Sequence, residues 1–440
     1  MDTRWLIMSE WMPCELQQCE QEGKDVTAYK GKTADLPEAI ALQRYDEMGN
    51  LPVVKGYPYC EPNEYEEIAA SFPPDERRPP LSASVLREKI RGAWYARIIG
   101  CELGKPVEGF SRKAIVTLAE GTDNYPIRDY IDDTKFTDAL REKLRRDCNT
   151  ELHASWWKST LDKAHWDDDL NYTAVNLLLL EKYGRDFTPD DVLTTWMANL
   201  PISATCTAEK VAYKNGTLGL KPPETARRCN PFREWVGAEI RADIFGYINP
   251  GNPKEAAHMA YKDACISHVK NGIYGEMFAA ALISLAFYES DAEALVKKAL
   301  DYIPGKSRLA ESIRTILDLY ASGAREAELT EHVHATYDES DRQTAVHILP
   351  NVCIVVLSLL CGDNDLTKAL GIAVAAGFDT DSNGATVGSI IGAIRGFSGI
   401  EQRWYRPFGG ILETKIIEYG SIAIDELVER TLKVMKGDKT

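Results

Sequence analysis

Apolar residues recur at helical spacing through most of the chain. Val85, Leu86, Ile90, Ala93, Trp94 and Ile98 fall on one face of a helix that Ser82 or Ser84 can cap. Tyr172 to Tyr183 carries Val175 and Leu177 to Leu180, apolar almost all round, which predicts a central buried helix. Comparable runs cover Gly275 to Tyr288, Leu309 to Tyr320, Ala345 to Leu360 and Leu366 to Ala376. The stretch from Arg141 to Asp147 is densely charged and predicts a surface helix. Pro- and Gly-rich segments from Leu218 to Pro231 and from Gly246 to Pro253 predict long loops. Alternating β-branched segments are scarce and no fixed-period repeat is visible. The pattern predicts one all-α domain of roughly ten or more helices over residues 81–440.

Residues 1–80 differ. They are rich in Pro, Tyr, Glu and Gln, weakly periodic, and close on Phe72-Pro73-Pro74-Asp75-Glu76-Arg77-Arg78-Pro79-Pro80. Four prolines in eight residues stop helix and sheet alike, so this segment reads as an N-terminal extension with a Pro-rich linker, wrapping the body or capping it.

Composition narrows the class. A chain of 440 residues buries enough apolar surface to fold without disulfides or a structural metal. Its ten cysteines are scattered, form no Cys-x-x-Cys pair, and several lie in apolar runs such as Val352-Cys353-Ile354, the pattern of reduced thiols. The formal net charge of −16 argues against a nucleic-acid partner, because phosphate neutralisation needs a basic surface. The apolar stretch Trp5-Leu6-Ile7-Met8 is too short for a secretory h-region, and no run of about 18 apolar residues exists. The expectation is a cytoplasmic protein with no membrane partner.

The candidate chemistry is acidic. Asp379-Thr380-Asp381-Ser382-Asn383-Gly384 stands where the apolar run to Ala376 gives way to a small-residue helix. Capping needs one of these residues, whereas a hard cation such as Mg²⁺ uses several oxygens, so the run favours metal or ligand binding. Glycines at 384, 388, 392 and 396 share one helix stripe, which implies close approach of another helix or of a ligand. A second cluster, Asp167-Asp168-Asp169, opens the apolar helix that follows it, and adjacent carboxylates repel unless a cation neutralises them. Asp132-Asp133-Thr134 looks similar but precedes the charged surface helix, where an Asp pair is a favourable N-terminal charge. His268, Asn271 and Gly272 open another apolar helix, and His268 either binds substrate or satisfies the helix start. No Gly-x-Ser-x-Gly, Walker A or His-Glu-x-x-His motif occurs.

Three of these features together resemble the ADP-ribosylglycohydrolases, including the dinitrogenase reductase-activating type: Leu103-Gly104-Lys105-Pro106-Val107-Glu108, Asp167-Asp168-Asp169, and Asp379-Thr380-Asp381-Ser382-Asn383-Gly384. Order, spacing and helical context agree from about residue 82 onward. Two departures stand out. Gly100-Cys101-Glu102 replaces the usual Gly-Asp before Leu-Gly, and in the early cluster Asp167 takes the hydroxyl position while Leu170 takes that of a threonine. Asp132-Asp133-Thr134 fits that local string better, but only the later cluster precedes a long apolar helix.

The resemblance implies an all-α fold with two Mg²⁺ ions held by Asp167, Asp168, Asp169, Asp379, Asp381 and Ser382. It further implies hydrolysis of the bond between ADP-ribose and an acceptor, a protein side chain or a small molecule. Asp168, Asp169 and Glu108 would be catalytic. Gly104, His268, Asn271, Gly272, Asn383 and Gly384 would contact substrate, with Trp235-Val236-Gly237-Ala238 a further candidate for the pyrophosphate. Two other readings remain open: a non-catalytic ADP-ribose- or nucleotide-binding member, and an isoprenoid-synthase-like Mg²⁺/diphosphate enzyme. The latter prefers Asp-Asp-x-x-Asp on a helix face, whereas four residues after Asp168 stands Tyr172.

Overall fold

The computed structural model describes residues 6–74, 78–153 and 156–437. Helices dominate throughout, and among the described residues the only sheet is the antiparallel pair Ile411–Glu413 and Ser421–Ala423, with Leu412 opposite Ile422. The chain is all-α.

Two helices in backbone contact organise the body. Ala83–Gly104 is capped by the Ser82 hydroxyl, which accepts from Val85 N at 3.4 Å, and it runs antiparallel against Thr380–Arg395. A Cβ at Gly100 would collide with the carbonyl of Gly384, one at Gly388 with that of Ala96, and one at Gly392 with that of Gly92. At the end of the interface Gly104 lies against the carbonyl of Thr380, whose hydroxyl donates to Gly104 O at 2.9 Å. The glycine stripe seen in the sequence is therefore a helix-packing face. The last turn of one helix and the first turn of the other are held together by contacts between main chains.

Around this pair lie the other buried helices, Asp168–Tyr183, Asn271–Ala286, Arg308–Ala321, Ile348–Cys361 and Leu366–Ala375. The first two and Ile348–Cys361 are buried on nearly every face. That matches their unbroken apolar runs. Two boundaries differ from the periodicity. The helix predicted from Ala345 begins at Ile348, because His347 is its N-cap and Ala345 closes a separate turn, Arg342–Ala345. The two predicted long loops each contain a short helix, Glu224–Arg227 in one and the end of Asp243–Tyr247 in the other.

The N-terminal segment is more structured than its weak periodicity suggests, with helices at Met12–Gln21, Glu38–Gly49 and Tyr65–Ala69. Met8, Met12, Tyr45 and Met48 share an apolar cluster with Ala208, Val211, Phe232 and Trp235 of the body. Periodicity is weak because these helices bury one narrow stripe each and rely on the body for the rest. Glu61 adds a polar anchor: it accepts from Arg308 Nε at 2.9 Å and from Asn271 Nδ2 at 2.8 Å. Pro73, Pro74, Pro79 and Pro80 are non-helical, while Asp75, Glu76, Arg77 and the N-terminal Trp5 lie outside the described residues. Among the described residues no helix is long and apolar enough to cross a membrane.

The main-chain contact sets a stability expectation. Gly388→Ala should destabilise the protein by about 2–3 kcal/mol in denaturant unfolding, since a carbonyl cannot rotate away as a side chain can. Gly49→Ala, at a helical glycine with open space around it, should be neutral or stabilising by up to about 1 kcal/mol.

Candidate functional site

Three chain segments converge where the packed helices meet. The first is the turn Lys105–Val107 with Glu108, which continues directly from the Ala83–Gly104 helix. The second is the start of Asp168–Tyr183, where Asp167 is the N-cap and its Oδ1 accepts from Asp169 N at 3.0 Å. The third is the start of Thr380–Arg395. Asp379 occupies that N-cap position without making a side-chain capping bond, so its carboxylate is not committed to the helix. Both acidic clusters sit at the positive ends of helix dipoles, which favours carboxylates there.

Backbone supports fix this arrangement. Arg97 is fully buried; its guanidinium donates to the carbonyls of Asp169 at 2.7 Å and Ile240 at 2.6 Å and pairs with Asp243 at 2.8 Å. Asn351, from the Ile348–Cys361 helix, accepts with Oδ1 from Asp379 N at 3.1 Å and Asn383 Nδ2 at 2.9 Å. Its Nδ2 donates to the carbonyls of Ala345 and His347. Phe378, directly before Asp379, sits at φ +59°, a left-handed conformation that costs a bulky residue of order 1–3 kcal/mol. The acidic turn is thus held in a shape the chain would not adopt unaided.

The carboxylates form two groups, Asp167, Asp168 and Asp169, and Glu108, Asp379 and Asp381, with the ligand atoms of each group within 4.8 Å of one another. Ser382 Oγ donates to Asp169 Oδ2 at 3.4 Å and links the groups. Lys105 stands between them: its Nζ lies 2.6 Å from Asp167 Oδ2, 3.0 Å from Asp381 Oδ2 and 2.7 Å from Glu108 Oε2. Asp169 Oδ1 and Asp381 Oδ1 are buried and accept no hydrogen bond.

The electrostatics follow. Burial, then the neighbouring carboxylates, push Asp168, Asp169 and Asp379 well above the usual carboxylate range. Burial acts the same way on Asp167, but the Lys105 ammonium outweighs it and holds that group below its ordinary value. Glu108 is about half exposed, 46%, and the charge of Asp381 chiefly, then desolvation, raises it to about 7. This is a site with more negative charge than its own lysine can neutralise.

A cavity of about 170 Å³ opens onto the carboxylates. Its lining includes Lys105, Glu108, Asp168, Asp169, Glu209, Asp379, Asp381 and Ser382, together with Trp235, Val236, Gly237, Val346 and Arg342. A larger cavity, about 510 Å³, lies elsewhere, between the N-terminal segment and the body, and contains none of these acids.

The structure brings together Glu108, Asp167, Asp168, Asp169, Asp379, Asp381 and Ser382. His268, Asn271 and Gly272, expected to contact substrate, are not among the residues that line this cavity. His268 is buried against Ser267 Oγ, with Nδ1 at 2.9 Å. Asn271 is engaged by Glu61, Glu234 and the backbone N–H of Leu309, and Gly272 packs under the carbonyl of Arg233. They open a helix inside a buried ion-pair network, which is why the sequence pattern resembled a site. Gly104 and Gly384 serve the helix contact, and Asn383 binds Asn351 rather than lining the cavity. Of the Trp235–Ala238 segment, Trp235, Val236 and Gly237 line the cavity and Ala238 does not.

In the rival Asp132-Asp133-Thr134, Asp132 caps its own turn and Asp133 ties that turn to Ser159. Asp132 accepts from Thr134 N at 3.1 Å and Asp133 from Ser159 Oγ at 2.6 Å. Glu102, where the resemblance departs, is buried and accepts from His165 N, two residues before Asp167. Lys105, Arg342 and Asn351 carried no visible signal of a site role. They are remote from the acids in sequence or, for Lys105, silent inside a turn motif.

A family model described as ADP-ribosylglycohydrolase matches residues 82–439. A solved ADP-ribosylglycohydrolase-related protein complex aligns over 81% of this chain and 100% of its own, at 16% identity and a TM-score of 0.49. No curated protein matches.

Two expectations follow from the supports. Asn351→Ala leaves Asp379 N and Asn383 Nδ2 unpaired; it should cost about 1–3 kcal/mol in chemical unfolding and roughly 10–100-fold in divalent-metal affinity by calorimetry. His347 caps its helix by accepting from Leu349 N at 3.2 Å, which only the neutral ring can do. Burial, with Arg308 adding to it and Glu234 opposing, lowers its pKa to about 4. The unfolded ring protonates near 6.5. Its stabilising contribution is therefore complete above pH 6.5 and falls by ~1.4 kcal/mol per pH unit between 6.5 and 4. His347→Asn, which can still cap, should flatten that part of the stability–pH curve.

Proposed function

The chain belongs to the ADP-ribosylglycohydrolase family, and on that premise we propose that it is a Mg²⁺-dependent hydrolase cleaving the glycosidic bond between ADP-ribose and an acceptor. The observation that carries this reading is the pair of buried, unpartnered oxygens, Asp169 Oδ1 and Asp381 Oδ1, one in each acidic group. Buried acceptors of this kind are costly unless something pairs with them. An all-oxygen set of carboxylates and a hydroxyl fits a hard divalent cation. Asp168, Asp169, Asp379, Asp381 and Ser382 are the residues that would hold such a cation, with Asp167 belonging to the position of a second one. When bound, the metal supplies positive charge that orients ribose hydroxyls and water and offsets charge as the bond breaks.

The chain's own groups have separable tasks. Glu108 lies on the open side and is raised to about 7, so near neutral pH it is a base capable of taking a proton from water. The water oxygen bonds to C1″, the bond from C1″ to the acceptor breaks, and the acceptor leaves with a proton. The sugar carbon gains oxocarbenium character in between, which the surrounding carboxylates stabilise. Trp235, Val236 and Val346 limit water in the cavity, while Arg342 offers a guanidinium to the pyrophosphate. At about 170 Å³ the cavity is below the ~300–1,000 Å³ typical of drug-sized ligands, which suits the ribosyl end with the nucleotide extending outward. The 358 residues of the family match include every one of these groups.

Calorimetric titration of ADP-ribose tests the reading. Binding is expected with Mg²⁺ and lost in EDTA. Asp379→Ala and Asp168→Ala should each lower metal-dependent turnover of an ADP-ribosylated substrate by at least ~100-fold while melting cooperatively. Full activity in either variant would end the site assignment, and binding without turnover in the parent protein would select the non-catalytic reading.

A further inference from the structure

A positive charge already occupies the space between the two acidic groups. Lys105 has three N–H donors, and each finds a carboxylate oxygen: Asp167 Oδ2 at 2.6 Å, Glu108 Oε2 at 2.7 Å and Asp381 Oδ2 at 3.0 Å. These come from all three converging segments, one per segment, as the ligands of a bridging cation would. The side chain is 19% exposed. Its origin is fixed as well. Gly104 before it is pressed against the carbonyl of Thr380, and Pro106 follows it within the turn Lys105–Val107.

Most of the remaining oxygens have neither an ion-pair partner nor a hydrogen-bond donor. Asp381 is split between the two situations, with Oδ2 on the ammonium and Oδ1 buried without a partner. Asp169 Oδ1 is likewise unpartnered, and Asp169 Oδ2 has only the Ser382 hydroxyl at 3.4 Å. Asp379 makes no capping bond and belongs to the same group as Asp381. The acidic oxygens therefore divide into a set paired with an ammonium and a set with no ion-pair partner, on which Arg97 acts only from behind Asp169.

Building on the metal-dependent reading above, we propose that Lys105 is a built-in occupant of one of the two cation positions, so that this chain binds a single divalent ion through Asp168, Asp169, Asp379, Asp381 and Ser382. A second ion using Asp167, Glu108 and Asp381 Oδ2 would have to strip the ammonium of all three partners and then sit beside it. Replacing the lysine with an uncharged side chain frees those three oxygens together and restores the second position.

The test is a metal count on the full chain without substrate. Mn²⁺ serves as the probe, measured by equilibrium dialysis at saturating free metal. The parent protein should hold one Mn²⁺ per chain, Lys105→Met two, and Lys105→Arg, which keeps the charge, one. Two ions in the parent protein, or one in Lys105→Met, overturns the proposal. If Lys105→Met does not melt cooperatively, Lys105→Gln is counted in its place against the same expectation. No bound metal in any of the proteins overturns both this proposal and the metal-dependent reading. A count of one and two without hydrolysis overturns only the catalytic part of that reading, so the two failures are distinguishable.

Discussion

Main-chain contact between two antiparallel helices is the constraint on which the rest of the structure depends. Gly92, Gly100 and Gly104 on one helix meet Gly392, Gly384 and Thr380 on the other with no room for a Cβ. Helices usually pack 8–10 Å apart with side chains between them. Glycine gives up that layer, and roughly 1 kcal/mol of helix propensity per position, in exchange for close approach. The consequence is positional. The end of one helix and the start of the other share a common frame, so the Lys105–Glu108 turn and the Asp379–Ser382 turn face each other with little freedom to separate.

Electrostatic crowding is the second consequence. Once those turns are fixed and Arg97 holds the backbone of Asp169 and Ile240, six carboxylates are gathered into two adjacent groups. Water cannot screen buried groups, so Asp168, Asp169 and Asp379 are raised by burial and by their neighbours, while Lys105 holds Asp167 down. Helix dipoles and one lysine offset part of this repulsion. Folding energy from the large apolar core carries the remainder, which is how a protein keeps a charged site in a state that awaits a ligand. The left-handed Phe378 beside Asp379 is strain of the same origin, held by packing around it.

The N-terminal segment belongs to this picture through the cavity lining. Trp235 and Val346 line the cavity and also pack against the cluster formed by Met8, Met12 and their neighbours. Arg342, in the same lining, lies over the ring of Trp11. Residues far from the acids in sequence and outside the family match therefore shape the surface facing them. Glu61 binds the same segment to Arg308 and Asn271, so its register against the body is set by charge as well as by apolar area.

The sequence by itself determined the all-α class, the identity of the buried helices and the acidic residues of the candidate site. Apolar period, cap residues and Asp-rich helix starts are local properties, and Asp167–Asp169 and Asp379–Ser382 were legible for that reason. It also showed the glycine stripe, though not what the stripe packed against. Only the tertiary structure decided that His268 and Asn271 lie in a buried network, that Asp132 caps a turn and Asp133 binds Ser159, and that Asn351 and Arg342 adjoin the site. A helix start inside an ion-pair network and a helix start at a cavity have the same local pattern; what separates them is the partner that packing supplies. Lys105 makes the point most directly. Its place in a turn was plain from the neighbouring Gly104 and Pro106, but its ammonium meets Asp167 and Asp381 only because two helices touch through their main chains.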